Sequence, residues 1–273
     1  MGKWVGRFLV AIVASAAVVI LTLPSTRAAG QTTRDAGLPP RLDGKPNLTG
    51  LWQAMPDIHW DLRAHEARPG PVQFGALFSE PASVGVVEGN AIPYQPAAAK
   101  QQQANFAERW TRDPEAKCYM PGVPRATYMP YPFQIIQSTQ KVLIAYGYAS
   151  ASRLIPLEQV GDSPAESWMG WSRGRWEGDT LVVSVDSFTD QTWFDRAGNF
   201  HSDALQVIER YTLVDRNTIA YEATITDPKV FTRPWKIGLP LYRRLERNAQ
   251  FLEFKCVPFT EELIYGHLRK KAN

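Results

Sequence analysis

Residues 168–235 read as four consecutive β-strands, and this run constrains the fold more than any other part of the chain. The segment WMGWSRGRWEGDTLVVSVDSF holds two alternating stretches around Glu177-Gly178-Asp179. After a loop containing Trp193 and Asp195, HSDALQVIERYTLV and TIAYEATITD follow, joined by Asp215-Arg216-Asn217. Strand-forming residues in alternation, broken by Gly, Asp and Asn, are hairpin signals. A chain of this kind is committed to antiparallel sheet with one buried face.

The second hairpin can be registered. If Asp215-Arg216-Asn217 is a three-residue loop, Val214 faces Thr218, Tyr211 opposes Tyr221 and Val207 opposes Ile225. That register puts Leu205, Val207, Tyr211, Leu213, Ile219, Tyr221 and Ile225 on one face, as burial demands. A two-residue loop would pair apolar with polar faces.

Elsewhere the signals are weaker. Leu48-Thr49-Gly50-Leu51-Trp52 opens a first strand, and residues 54–96, rich in Pro, Gly and Ala, suggest an ordered surface wrap. Residues 97–110 (AAAKQQQANFAERW) are the best helix, ended by Asp113-Pro114. Residues 133–138 and 141–148 read as strands, 153–157 as an edge strand on account of Pro156, and 250–257 as a weak strand closing the sheet. Many short strands, one short helix and a Trp-rich composition predict an all-β, mainly antiparallel fold over residues 31–273. The form expected is a single lipocalin-like β-barrel or strongly curved sheet with an irregular N-terminal wrap, with a β-sandwich second.

The N-terminus carries Lys3 and Arg7, an apolar run over residues 8–23, and small residues after it. This is the pattern of a secretory signal peptide over residues 1–30. The run is shorter than the roughly 20 residues a membrane span needs. Removing it takes away Lys3, Arg7 and Arg27, so the whole-chain count of 30 basic against 27 acidic residues falls to 27 against 27. A neutral mature chain lacks the basic footprint of nucleic-acid binding, and no stable membrane insertion is expected after cleavage. The location expected is the periplasm or outside the cell. There, Cys118 and Cys256, the chain's two cysteines, point to a disulfide rather than a metal site or nucleophile.

Candidate site residues gather at one end of the second hairpin. His201, Asp203 and Asp227 fall there, the loop with Trp193 and Asp195 must arrive there, and the chain leaves towards Trp235 from there. An imidazole, several carboxylates and two indoles at a barrel mouth suit acid–base chemistry on an apolar or aromatic ligand. His201, Asp203, Asp227 and Asp195 are the candidate catalytic groups. Trp193, Trp235, Tyr211, Tyr221 and Glu209 are the candidate binding groups, with Glu209 expected to pair Arg175 or Arg210. The bland alternative is that His201 and the aspartates cap loops. His59 and His65 match no metal-ligand spacing. Gly170-Trp171-Ser172-Arg173-Gly174 imitates a nucleophile elbow, but both sides read as strand rather than strand-to-helix. With no dinucleotide fingerprint, P-loop or Cys-rich cluster, no cofactor is expected.

The blocks KCYMPGVPRATYMPYPFQI, GRWEGDTLVV and TWFDRAGNFHSDALQVIERYT, with the signal peptide, resemble a family of uncharacterised exported bacterial proteins found in acidobacteria and sphingomonads. The resemblance implies export and a single domain; it brings no activity. The expectation from the residues themselves is an exported barrel that binds a small apolar or aromatic molecule and transforms it by cofactor-independent elimination, isomerisation or hydrolysis. A non-catalytic carrier is the alternative.

Overall fold

Nine strands carry the architecture: β1 (Gly50–Gln53), β2 (Phe133–Gln137), β3 (Lys141–Tyr146), β4 (Ser152–Pro156), β5 (Trp171–Glu177), β6 (Thr180–Asp186), β7 (Gln206–Asp215), β8 (Thr218–Thr226) and β9 (Trp235–Arg243). The computed structural model describes residues 37–70, 79–252, 254–260, 263 and 267. The expected signal peptide lies outside those residues. One sheet runs β4-β3-β2-β1-β9-β8-β7-β6-β5 and curls into a nearly closed barrel. The all-β barrel expectation therefore holds.

Every neighbouring pair is antiparallel. With an odd number of strands, alternation cannot continue all the way round, so β4 and β5 point the same way. Like-directed neighbours need a long crossover, which residues 157–170 supply. The two strands meet through side chains instead of a ladder. A Cβ added at Gly174 would lie 2.7 Å from Ile155 Cγ2 and 3.4 Å from the Pro156 carbonyl, so glycine lets the seam close.

The hairpin register is as read from Gln206 to Leu213, with Tyr211 opposite Tyr221 and Val207 opposite Ile225. At the turn it differs. A bulge at Val214 puts Asp215, not Val214, opposite Thr218. The extra residue is left unpaired, which preserves the buried face while tightening the turn. A second correction concerns β7, which begins at Gln206. His201 and Asp203 therefore sit in the preceding turn rather than on the strand's apolar face.

A third correction is the closing strand. Residues 250–252 and 254–257 lie outside the strands, and β9 closes the sheet between β1 and β8. Gly238 and Pro240 disguise it in sequence. Gly238 N donates to the Val86 carbonyl at 2.9 Å, so the wrap covers the β9 edge beyond the short β1. Pro240 N points to that same side, where β9 needs no ladder donor between the wrap and β1.

The barrel interior is packed. Trp52, Phe133, Ile144, Leu181, Val207, Tyr211, Tyr221, Ile225 and Leu239 are all buried in it. Across the middle runs a polar chain. Arg153 Nη1 lies 2.6 Å from Glu209 Oε2, and Arg153 Nη2 donates to Glu209 Oε1 at 2.9 Å. The Tyr211 and Tyr221 hydroxyls donate to the same Glu209 oxygen at 2.9 and 2.8 Å, and Arg153 Nε donates to the Tyr146 hydroxyl at 3.1 Å. Arg153 is thus the buried partner of Glu209, in place of the expected Arg175 or Arg210. Burying such a pair is tolerable because the guanidinium matches the carboxylate charge and Glu209 Oε1 accepts three hydrogen bonds; removing one partner would cost about 3–5 kcal/mol. The pair ties β4 to β7 across the seam.

Helix α1 (Pro96–Ala107) matches the predicted helix. Its buried Gln102 and Asn105 donate to the carbonyls of Ala197 and Gly198 at 2.7 and 3.2 Å, pinning the 189–202 loop. Gly198 has φ +78°, and a Cβ there would lie 2.7 Å from Asn105 Cβ. Helix and loop can meet this closely only at glycine.

Candidate functional site

The candidate catalytic groups occupy one region, but His201, Asp203 and Asp227 are linked only through Ser202 and Lys229 and do not bond one another directly. His201 is 3% exposed. Its Nε2 lies 2.6 Å from Thr192 Oγ1, its Nδ1 lies 2.9 Å from the Ser202 carbonyl, and its ring packs against Phe188 and Phe194. Burial pushes its pKa down, keeping it neutral. Asp227 accepts from Ser202 N (2.6 Å), Ser202 Oγ (2.9 Å) and Lys229 N (3.0 Å), the habit of a turn-capping aspartate. Asp203 is exposed and paired with Lys229 at 2.6 Å, which holds its carboxyl below the usual range.

Asp195 is fully buried. Its Oδ2 accepts from Leu62 N at 2.9 Å and Asn199 Nδ2 at 2.6 Å, joining the wrap to the 189–202 loop. Burial, with Asp61 nearby, pushes its pKa up to about 7. Of the candidate binding groups, Tyr211, Tyr221 and Glu209 belong to the interior chain already described. Trp193 is buried and bridges to Phe200. Trp235 is buried edge-on against Phe194 and Phe231, at 5.6 and 5.4 Å between ring centroids.

A different set of residues forms open concavities at one wall. Residues 113–118 carry Asp113, Glu115 and Ala116, ending in Cys118, which is disulfide-bonded to Cys256. The disulfide brings the C-terminal segment back over the barrel. Phe254 N donates to the Gly147 carbonyl at 3.3 Å, and Phe259 N donates to the Ala116 carbonyl at 2.8 Å. Between this segment and the barrel wall lies a cavity of about 140 Å³. Tyr131, Tyr148 and Phe254 give it an aromatic lining, with Tyr131 and Phe254 centroids 4.3 Å apart. Glu115 and Arg196 supply its charged edge, joined by two bonds at 2.9 and 2.8 Å.

Next to it is a narrow slot of about 20 Å³ between Trp60 and Trp110, bordered by Arg109, Asp113, Ala116 and Arg196. The indoles meet edge to face at 6.2 Å, and the Arg196 guanidinium lies 4.5 Å over the Trp60 ring. Behind these walls sits an ionic cluster. Arg125, 1% exposed, binds Asp113 at 2.8 and 3.0 Å and Glu115 at 2.6 Å. Burial opposes the Glu115 charge, but Arg196 and Arg125 outweigh it and hold its carboxyl well below the usual range. Burial drives the neighbouring His59 down to about 3, and its Nδ1 lies 2.6 Å from the Pro56 carbonyl. Both histidines of the wrap are thus engaged in loop packing, since His65 Nδ1 lies 2.8 Å from the Glu66 carbonyl. No group of three or more potential metal ligands converges among the described residues.

Chemically, the wall offers aromatic surface with one charged edge. That suits retention of a flat apolar molecule carrying a single polar substituent. Sequence reading missed it because the lining of the larger cavity alone comes from five separate stretches; the one usable signal was the Cys118–Cys256 pair, which folds the C-terminal segment onto the 113–118 turn. Comparisons with known protein families, with curated proteins and with solved structures found no match to this chain.

Proposed function

We propose that this chain is an exported β-barrel protein that binds a small, flat, apolar or aromatic molecule in the cavity beneath its C-terminal segment. The observation that carries the reading is the cavity itself: about 140 Å³, lined by Tyr131, Tyr148 and Phe254. Its volume is of the order of one aromatic ring, about 150 Å³ sufficing for benzene in a closed apolar cavity, although this concavity is open to solvent and carries the Glu115–Arg196 edge. The packed barrel interior, crossed by the Arg153–Glu209 pair, favours a site at the wall over a ligand cup inside. Export rests on the signal-peptide pattern and is supported by the disulfide. Among the described residues no helix is long and apolar enough to cross a membrane.

Retention without turnover is the form the geometry favours. His201 has both ring nitrogens engaged by Thr192 and Ser202, and neither Asp203 nor Asp227 orients it. Acid–base turnover is the second reading, favoured by Asp195, whose carboxyl titrates near 7 in the loop that also carries Arg196. Calorimetric titration with phenol tests the first. Binding is expected to the wild type, and loss of at least tenfold in affinity is expected for Val257→Trp, which fills the cavity from an exposed position. Affinity unchanged in that variant would contradict the site. Product formation from a panel of small aromatics, abolished in His201→Ala, would restore the catalytic reading.

A further inference from the structure

On the outer face of the sheet, a groove of about 370 Å³ runs between β8–β9 and the wrap at residues 85–88. Side chains alternate along the strands, so Tyr221, Ala223, Ile237 and Leu239 are buried while Glu222, Lys236 and Gly238 form the groove floor. Glu222 lies opposite Gly238, which makes Lys236 its diagonal neighbour. The facing wall is held by backbone bonds. Val86 N and Val87 N donate to the Leu62 carbonyl at 2.8 and 3.3 Å, and Gly238 N donates to the Val86 carbonyl at 2.9 Å. Glu88 stands on this wall. Glu88, Glu222 and Lys236 form no ion pair among the described residues. Arg210, directly opposite Glu222 on β7, is paired with Glu177 at 2.9 Å instead.

Gly238 is the second observation. Glycine weakens a strand interior and marks a bulge, or the close approach of another backbone or a ligand. The β8–β9 ladder runs without a shift from Thr218–Tyr242 to Ile225–Trp235, so there is no bulge. The wrap does come close, yet a Cβ added at Gly238 would meet nothing within 4 Å. Neither backbone therefore requires glycine, and what its missing side chain leaves open is the groove. We propose that the groove binds a small amino acid carrying a second ammonium group. The ligand carboxylate meets Lys236, its α-ammonium meets Glu222, and its distal ammonium meets Glu88. Two carboxylates and one ammonium leave the groove one negative charge in excess, the complement of such a molecule. Gly238 gives room for the aliphatic chain between these contacts, beside Val86. The site is separate from the aromatic cavity and does not depend on it.

The test is calorimetric titration of the full mature chain, near neutral pH and at low ionic strength, where exposed charges are least screened. The probes are L-lysine and cadaverine, which has the same two ammonium groups and no carboxylate. Wild type, Lys236→Met, Glu88→Gln, Glu222→Gln and Gly238→Leu are compared, with thermal melting to confirm that each is folded. An exposed ionic contact changes affinity by up to about fivefold, so lysine should bind the wild type about threefold or more tightly than cadaverine. That preference should vanish in Lys236→Met, and both probes should weaken about threefold or more in each glutamine variant. Gly238→Leu, which fills the groove from a position without neighbours, should bind neither probe. Failure of the wild type to bind lysine, or lysine affinity unchanged in Gly238→Leu, would overturn the site. Equal affinities for lysine and cadaverine in the wild type would overturn the amino-acid ligand. Should Gly238→Leu fail to fold, the two glutamine variants decide: lysine affinity unchanged in both contradicts the proposal.

Discussion

Asp195 illustrates how a single residue can mislead in sequence and inform in structure. As a loop aspartate beside aromatics it reads as a candidate catalytic group. In the fold it is a fully buried tether, accepting from Leu62 N and from the Asn199 amide. Burial and Asp61 raise its pKa to about 7, while Arg63 and the hydrogen bonds it accepts oppose that shift. A carboxyl raised in the folded state keeps its proton there over a range where the unfolded chain has lost it. The associated stability is fully present below about pH 4 and is lost as pH rises through about 7, up to about 4 kcal/mol in all. His59 acts in the other direction, because its pKa is lowered to about 3: its contribution is present above about 6.5 and fades as pH falls towards 3. Urea unfolding at pH 5 and pH 8 separates Asp195 from the rest. The wild type should lose more stability between the two pH values than Asp195→Asn does, by about 2–3 kcal/mol. Equal losses would show that Asp195 is ionised throughout. His201 carries a related lesson: its packing against Phe188 and Phe194 makes it a core residue, a role that its place near a predicted strand end did not reveal.

Among the elements, legibility followed periodicity. The β7–β8 register could be read because Val207, Tyr211, Leu213, Ile219, Tyr221 and Ile225 alternate strictly, and a slip would have turned them all outward. The strand β9 was opaque because Gly238 and Pro240 interrupt its pattern. Pro240, which has no N–H to donate, is tolerated because no full-length strand lies along that edge. The start of β7 was misplaced by the apolar Leu205, which is buried although it precedes the strand. The C-terminal segment shows the opposite error: its weak alternation imitates a strand, whereas its place is set by the disulfide. That bond spans 138 residues and anchors one wall of the cavity. Replacing Cys256 by Ser should therefore lower stability by about 2–5 kcal/mol. It should also weaken phenol binding well beyond the loss seen when an equally destabilising substitution is placed far from the cavity. Calorimetry and melting on the same samples distinguish the two effects, and unchanged phenol affinity would mean that the segment stays in place without the bond.

Taken whole, the molecule separates its tasks. The barrel is a packed scaffold closed from within by Arg153 and Glu209, and the long connections outside it form the concave surface. The fold class was readable because a sheet announces itself in local alternation. The candidate site was not, because Glu115, Tyr131, Tyr148, Arg196 and Phe254 become neighbours only after the chain has folded, and none sits in a motif that names a chemistry. The rim residues His201, Asp203 and Asp227 were singled out for their chemistry, and the structure gives each its own local partner. The claim that matters most is that ligand binds at the wall and not inside the barrel. A crystal of the mature protein soaked with 4-iodophenol, with the anomalous signal of iodine recorded, tests this directly. The account predicts one strong iodine site between Tyr131, Tyr148 and Phe254. Iodine beside Arg153 and Glu209 inside the barrel, or beside His201, would contradict it.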